Sequence, residues 1–297
     1  MATLDGAAHA FRHPPRSAET LLLRARTVGG AMDRMIAILS LAVALAACAA
    51  LDDHVPDFAR HPYEAFDRQA VISIAVREWR LFGQAVQDDP SAASVCLDSN
   101  CKLERQEGLW QRVGEYWWIG LNADRRERSW TGKHGASGIV FSPERDGAFA
   151  WSAAFISYVM RTAGAGSRFP YSASHADYIN VARMASIRGD PTAMLWAVRP
   201  DLYAPRLGDF ICYGRDGDRI PGFDDLPAAR FASHCDIVTG LELDRLSAIG
   251  GNVNDAVALK RVPITPEGMI AGPDNTPIDP RYAWFVVIRV AYDDEPR

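Results

Sequence analysis

Apolar and polar positions divide the chain into a front half of helix-like and loop-like stretches and a rear half of one helix followed by strands. Residues 36–47 (IAILSLAVALAA) form an uninterrupted apolar run of 12. Residues 52–62 are polar, with Pro56 and Pro62, and read as a tether. In residues 63–82 the apolar positions Phe66, Ala70, Ile72, Ile74, Ala75, Trp79 and Leu81 are compatible with an amphipathic helix. A polar loop is expected over 87–107, a second apolar helix over 109–121, and a charged, glycine-containing loop over 125–138. Residues 149–164 (FAWSAAFISYVMRTAG) place Phe155, Ile156, Val159, Met160 and Ala163 on one stripe at helical spacing. Gly164 is a natural stop, and Ser152 falls in the first turn of this buried helix. After a long connection come strand-like runs at 209–213, 236–241, 246–250, 256–262 and 284–290. Strands so close in sequence predict an antiparallel meander. A helix followed by a run of strands predicts an α+β domain, not a parallel βαβ sheet.

Composition narrows the function classes. The chain of 297 residues is 48% hydrophobic and 23% charged, as in an ordinary globular protein. Its net charge of −5 argues against a nucleic-acid partner, which calls for clustered Lys and Arg. Eight tryptophans and nine tyrosines could line a polymer groove, but core filling is the commoner use. The five cysteines make no CxxC pair and have no accompanying histidine spacing, so no zinc site is expected, and no cofactor is implied. Cys96 and Cys101 are close enough for a local disulfide in an oxidising compartment. Cys212 and Cys235 fall on consecutive strands, either as a cross-strand disulfide or as two buried thiols. The odd cysteine, Cys48, is left for a separate task.

The apolar run at 36–47 is too short for a bilayer, which needs about 20 residues, and has the length of a signal-peptide core. Arg34 supplies a positive flank. The run ends in Leu45-Ala46-Ala47-Cys48, which resembles a bacterial lipobox. That resemblance implies cleavage before Cys48, acylation of its thiol and attachment to a membrane surface. Ala49, in place of an Asp, implies an outer-membrane lipoprotein facing the periplasm in a cell with two membranes. The alternative is a buried N-terminal helix with an incidental cysteine. The expected organisation is an upstream segment with signal peptide (1–47), a tether (48–62), a helical segment (63–140) and a main domain (141–292).

Four motifs carry candidate chemistry. Ala150-Trp151-Ser152-Ala153-Ala154-Phe155-Ile156-Ser157-Tyr158 resembles the nucleophile helix of NlpC-type and CHAP-type peptidoglycan hydrolases, with serine in the place of cysteine. Arg206-Leu207-Gly208-Asp209-Phe210 is similar to the Pro-Gly-Asp start of their next strand. Ser233-His234-Cys235-Asp236-Ile237-Val238-Thr239-Gly240 resembles the strand bearing their catalytic histidine. Ile249-Gly250-Gly251-Asn252 looks like their Gly-Gly-Asn turn. From about residue 60 the chain also resembles a bacterial domain-of-unknown-function family, number 2272. The resemblance implies a papain-like fold, with a nucleophile helix packed on an antiparallel sheet. It also implies Ser152 as nucleophile, His234 as base and Asn252 as the orienting amide. Trp151, His175, Tyr178 and Asp236 are candidate substrate contacts.

The serine changes the chemistry. A helix N-terminus lowers a thiol pKa, but a hydroxyl is far less acidic and needs a general base in the transition state. The candidates have structural alternatives: Ser152 as a helix N-cap, His234 as a core histidine, Asn252 as a turn residue and His175 as part of a solvated loop. The expected function is hydrolysis of an amide bond in peptidoglycan or a related envelope peptide. The alternatives are an inactive lipoprotein that binds a wall peptide or protein partner, and an ester-directed serine hydrolase or acyltransferase.

Overall fold

The computed structural model describes residues 65–89, 102–121, 139, 149–215 and 222–293. Cys48, Cys96 and Cys101, on which the expected lipid anchor and the expected local disulfide fall, lie outside the described residues. The described residues all belong to one compact unit, Glu64–Arg297. The helical segment and the main domain therefore share a single core.

The described residues contain four α-helices and seven strands. Helix α1 (Arg68–Leu81) is capped by Asp67, whose carboxylate accepts from the Ala70 N–H at 2.8 Å. Helix α2 spans Leu109–Gly120, α3 spans Ser152–Thr162 and α4 spans His175–Arg188. The strands are β1 (Ala85–Val86), β2 (Leu195–Val198), β3 (Phe210–Gly214), β4 (Ser233–Leu241), β5 (Arg245–Val253), β6 (Ala256–Pro263) and β7 (Trp284–Val290). They form one sheet in the order β1-β6-β5-β4-β3-β7-β2. Only β1 with β6 is parallel; every other neighbouring pair is antiparallel. The mixed α+β class is thus as the residue pattern predicts.

Two elements differ from expectation. The stretch after residue 164 is not a bare connection but contains α4 and β2. His175 is accordingly no loop residue; it opens α4 and is buried. The stripe His175, Tyr178, Ile179, Ala182 and Ala185 lies at helical spacing, but alanines give it little hydropathy contrast with its surroundings.

Helix α3 is buried from Ser152 through Met160, so it lies inside the core instead of on its surface. A carboxylate fastens it to α1 and α2. Glu78 accepts from Arg112 at 3.0 and 2.6 Å, from Tyr116 at 2.8 Å and from Tyr158 at 3.3 Å. Burial pushes the Glu78 carboxyl up, but hydrogen bonds from Arg112, Arg77 and Tyr116 outweigh it and hold the pKa below its usual value. On the sheet, Cys212 pairs with Cys235 across β3 and β4, and the two are joined by a disulfide.

Candidate functional site

The site forms where the start of α3 meets the start of α4 and one face of β4–β6. Trp151 is the N-cap of α3 and its side chain makes no capping hydrogen bond to the helix, and Ser152 is the first helical residue. The Ser152 hydroxyl caps nothing. It is hydrogen-bonded to His175 Nε2 at 2.7 Å, and His175 Nδ1 is bonded in turn to the Tyr178 hydroxyl. The helical spacing of residues 175 and 178 puts those two side chains on one face of α4.

A second group stands behind this one. His234 and Asp236 lie two apart on β4 and therefore share a face of the sheet. His234 Nε2 is 3.1 Å from Asp236 Oδ1, while Lys260 Nζ donates to Asp236 Oδ1 at 2.8 Å and Oδ2 at 3.0 Å. Lys260 reaches Asp236 from β6 across β5, because Gly250 on β5 offers no side chain to block it. The His175 and His234 rings are 5.3 Å apart between centroids, which joins the two groups into one cluster.

The electrostatics follow from burial and pairing. Burial pushes the Asp236 carboxyl up, but Lys260 and His234 outweigh it and keep it ionised. An ionised Asp236 can only accept, so His234 carries its proton on Nε2 and leaves Nδ1 as a lone pair. Burial also lowers the pKa of Lys260, offset in part by Asp236. Both histidines are held below the usual imidazole value by burial, and His175 is lowered further by His234. Burial pushes the Tyr178 phenol well up, so it keeps its proton.

The His175 bonds admit two proton placements. In one, Tyr178 O–H donates to Nδ1 and Nε2–H donates to Ser152 Oγ. In the other, Nδ1–H donates to Tyr178 and the Ser152 hydroxyl donates to Nε2, ready for removal.

This arrangement corrects several expectations. Ser152, His234 and Asn252 do not form a hydrogen-bonded triad. The partner of Ser152 is His175, and the carboxylate of Asp236 occupies the place beside His234 expected for Asn252. Asn252 sits at φ 54° within β5, where the register with β6 shifts between Gly250 and Val253, and its side chain makes no hydrogen bond among the described residues. Trp151 is not a cleft wall. It is fully buried against Phe82 and Tyr116 and donates to Glu104 at 2.6 Å. Tyr178 and Asp236 are also fully buried and contact the histidines, not solvent. Lys260 escaped the sequence reading altogether. Its one signal was the alternation in β6, which puts Lys260 on the buried face with Ala256 and Ala258 while Arg261 faces outward.

Two cavities open onto the cluster. One of about 270 Å³ is lined by Ser152, Ser174, His175, Arg215 and Ser233 among others. The other, about 320 Å³, is lined by Tyr213, Arg215, His234, Asn252 and Arg281 among others. A larger cavity of about 380 Å³, between Arg168 and Trp196, contains no histidine, serine or cysteine. Among the described residues no group of three or more His, Cys, Asp or Glu side chains is arranged to hold a metal ion.

The family model described as "Uncharacterized protein conserved in bacteria (DUF2272)" matches residues 104–290, and the chain belongs to that family. No curated protein and no solved structure matches the chain.

Proposed function

We propose that the protein is a serine-dependent hydrolase of amide bonds in peptidoglycan stem peptides or a related envelope peptide. The observation that carries this reading is the 2.7 Å bond between Ser152 Oγ and His175 Nε2, at a helix start that borders a cavity. Ser152 Oγ would attack the carbonyl carbon while its proton passes to His175 Nε2. The first N–H groups of α3 have no partner within the helix and would hold the oxyanion. The same imidazole would return the proton to the leaving amine, and water would then release the acyl group. Burial and the field of His234 oppose the imidazolium formed on His175 in between, and the ionised Asp236 offsets them in part.

The substrate class rests on the resemblance of the four motifs to wall hydrolases, as does the finer description of the fold as papain-like. Export and an outer-membrane lipid anchor on Cys48 suit such a substrate. A binding role is favoured by one observation, the protonated Tyr178 phenol against His175 Nδ1, because that placement turns Nε2–H toward Ser152.

Incubating the purified full-length protein with muropeptides, beside Ser152→Ala and Ser152→Cys variants, separates the readings. Product release by wild type and none by Ser152→Ala supports the hydrolase. Cleavage by the Cys variant alone identifies a binder.

A further inference from the structure

Arg215 follows the last residue of β3, and its backbone N–H donates to the Ala232 carbonyl at 3.0 Å. That bond fixes where the side chain leaves the sheet. Among the described residues Arg215 alone lines both cavities of the cluster, the one with Ser152 and His175 and the one with His234 and Asn252. Arg215 is exposed, and among the described residues its guanidinium has no hydrogen-bond or ion-pair partner. The other charges facing this space are matched. Lys260 is paired with Asp236, and Arg281 with Asp279 at 2.7 Å. Both histidines are neutral for the reasons given above. Among the described residues one positive charge without a partner therefore remains at the mouth of the site. Its field reaches the whole cluster, since it contributes to lowering His175, His234 and Lys260.

We propose that Arg215 recognises a free carboxylate on the substrate, close to the bond presented to Ser152. This rests on the hydrolase reading for the position of the scissile bond, and it narrows the substrate class to peptides with an ionised carboxyl near that bond. A guanidinium is suited to the task, because its planar fork pairs with both oxygens of a carboxylate. Among the described residues the Arg215 side chain makes no hydrogen bond or ion pair that would otherwise account for a cation beside a nucleophile. An exposed site also favours recognition over charge burial, since the cation stays hydrated until the ligand arrives.

The test is calorimetric titration in a Ser152→Ala background, so that no turnover intervenes. The probes are the tripeptide L-Ala-γ-D-Glu-L-Lys with free carboxylates and the same tripeptide with both carboxyls amidated. The free acid is expected to bind about tenfold more tightly than the diamide, or about 1.4 kcal/mol. Arg215→Met is expected to abolish that preference without weakening the diamide, and Arg215→Lys to restore part of it. Equal binding of acid and diamide, an equal loss of both in Arg215→Met, or no binding of either overturns the proposal. The hydrolase reading is scored separately, by covalent labelling of Ser152 with a neutral reagent that has no carboxylate. The two can thus fail independently.

Discussion

Gly250 lies so close to Asp236 that a Cβ placed on it would stand 1.8 Å from Asp236 Oδ1. The same carbon would be 2.7 Å from His234 Nε2. The carboxylate cannot swing aside, because Lys260 holds both of its oxygens. Gly250→Ala is therefore expected to destabilise the fold by about 1–3 kcal/mol, the usual cost of overpacking a filled core. Chemical denaturation of the variant beside wild type measures this, and a loss below about 0.5 kcal/mol would mean that the site yields.

Lys260→Met strips the buried Asp236 carboxylate of its cation. Removing one partner of a buried pair typically costs about 3–5 kcal/mol. Asp236→Asn/Lys260→Met should recover part of the loss, because no ionised group is then left without its counterion. A double-mutant cycle on unfolding free energies checks both statements.

Acid should affect stability before it affects chemistry. The folded pKa values of His175 and His234 lie below the unfolded value of about 6.5. As pH falls below about 6.5 the unfolded chain takes up protons that the folded chain refuses, so stability falls, by up to about 1.4 kcal/mol per pH unit for each imidazole. Activity needs a neutral His175 and should hold its plateau below pH 6.5, declining only near the lowered folded value. Paired pH profiles of unfolding free energy and kcat/KM test this. An activity midpoint at pH 6.5 would contradict it.

Tyr178→Phe removes the partner that holds His175 Nδ1. In the hydrolase reading Tyr178 accepts from Nδ1–H and keeps Nε2 free to take the serine proton. The variant should lose roughly 10–100-fold in kcat with little change in KM, a share of what general-base catalysis supplies. Steady-state kinetics of the variant measure the split. A rise in kcat would assign Tyr178 to the opposite proton placement.

Most of the fold was legible because strong periodicity needs no tertiary knowledge. The stripe from Phe155 to Ala163 and the strands at 256–262 and 284–290 fall where the pattern puts them. Helix α4 was not legible, since Ala176, Ala182 and Ala185 bury little surface and barely stand out from polar neighbours. The site was half legible. Ser152 and His234 were marked by their motifs, and Asp236 by its spacing from His234. The bond from Ser152 to His175 depends on how α4 packs against α3, which no local pattern reports. The reach of Lys260 to Asp236 depends on the register of three strands.

The central claim is that His175 activates Ser152. The most direct measurement is intact-protein mass spectrometry after exposure to an uncharged fluorophosphonate, with the adduct mapped by proteolysis. Wild type should gain one adduct, on Ser152, and His175→Ala should label at least tenfold more slowly. No adduct on Ser152, or equal labelling of wild type and His175→Ala, would contradict the account.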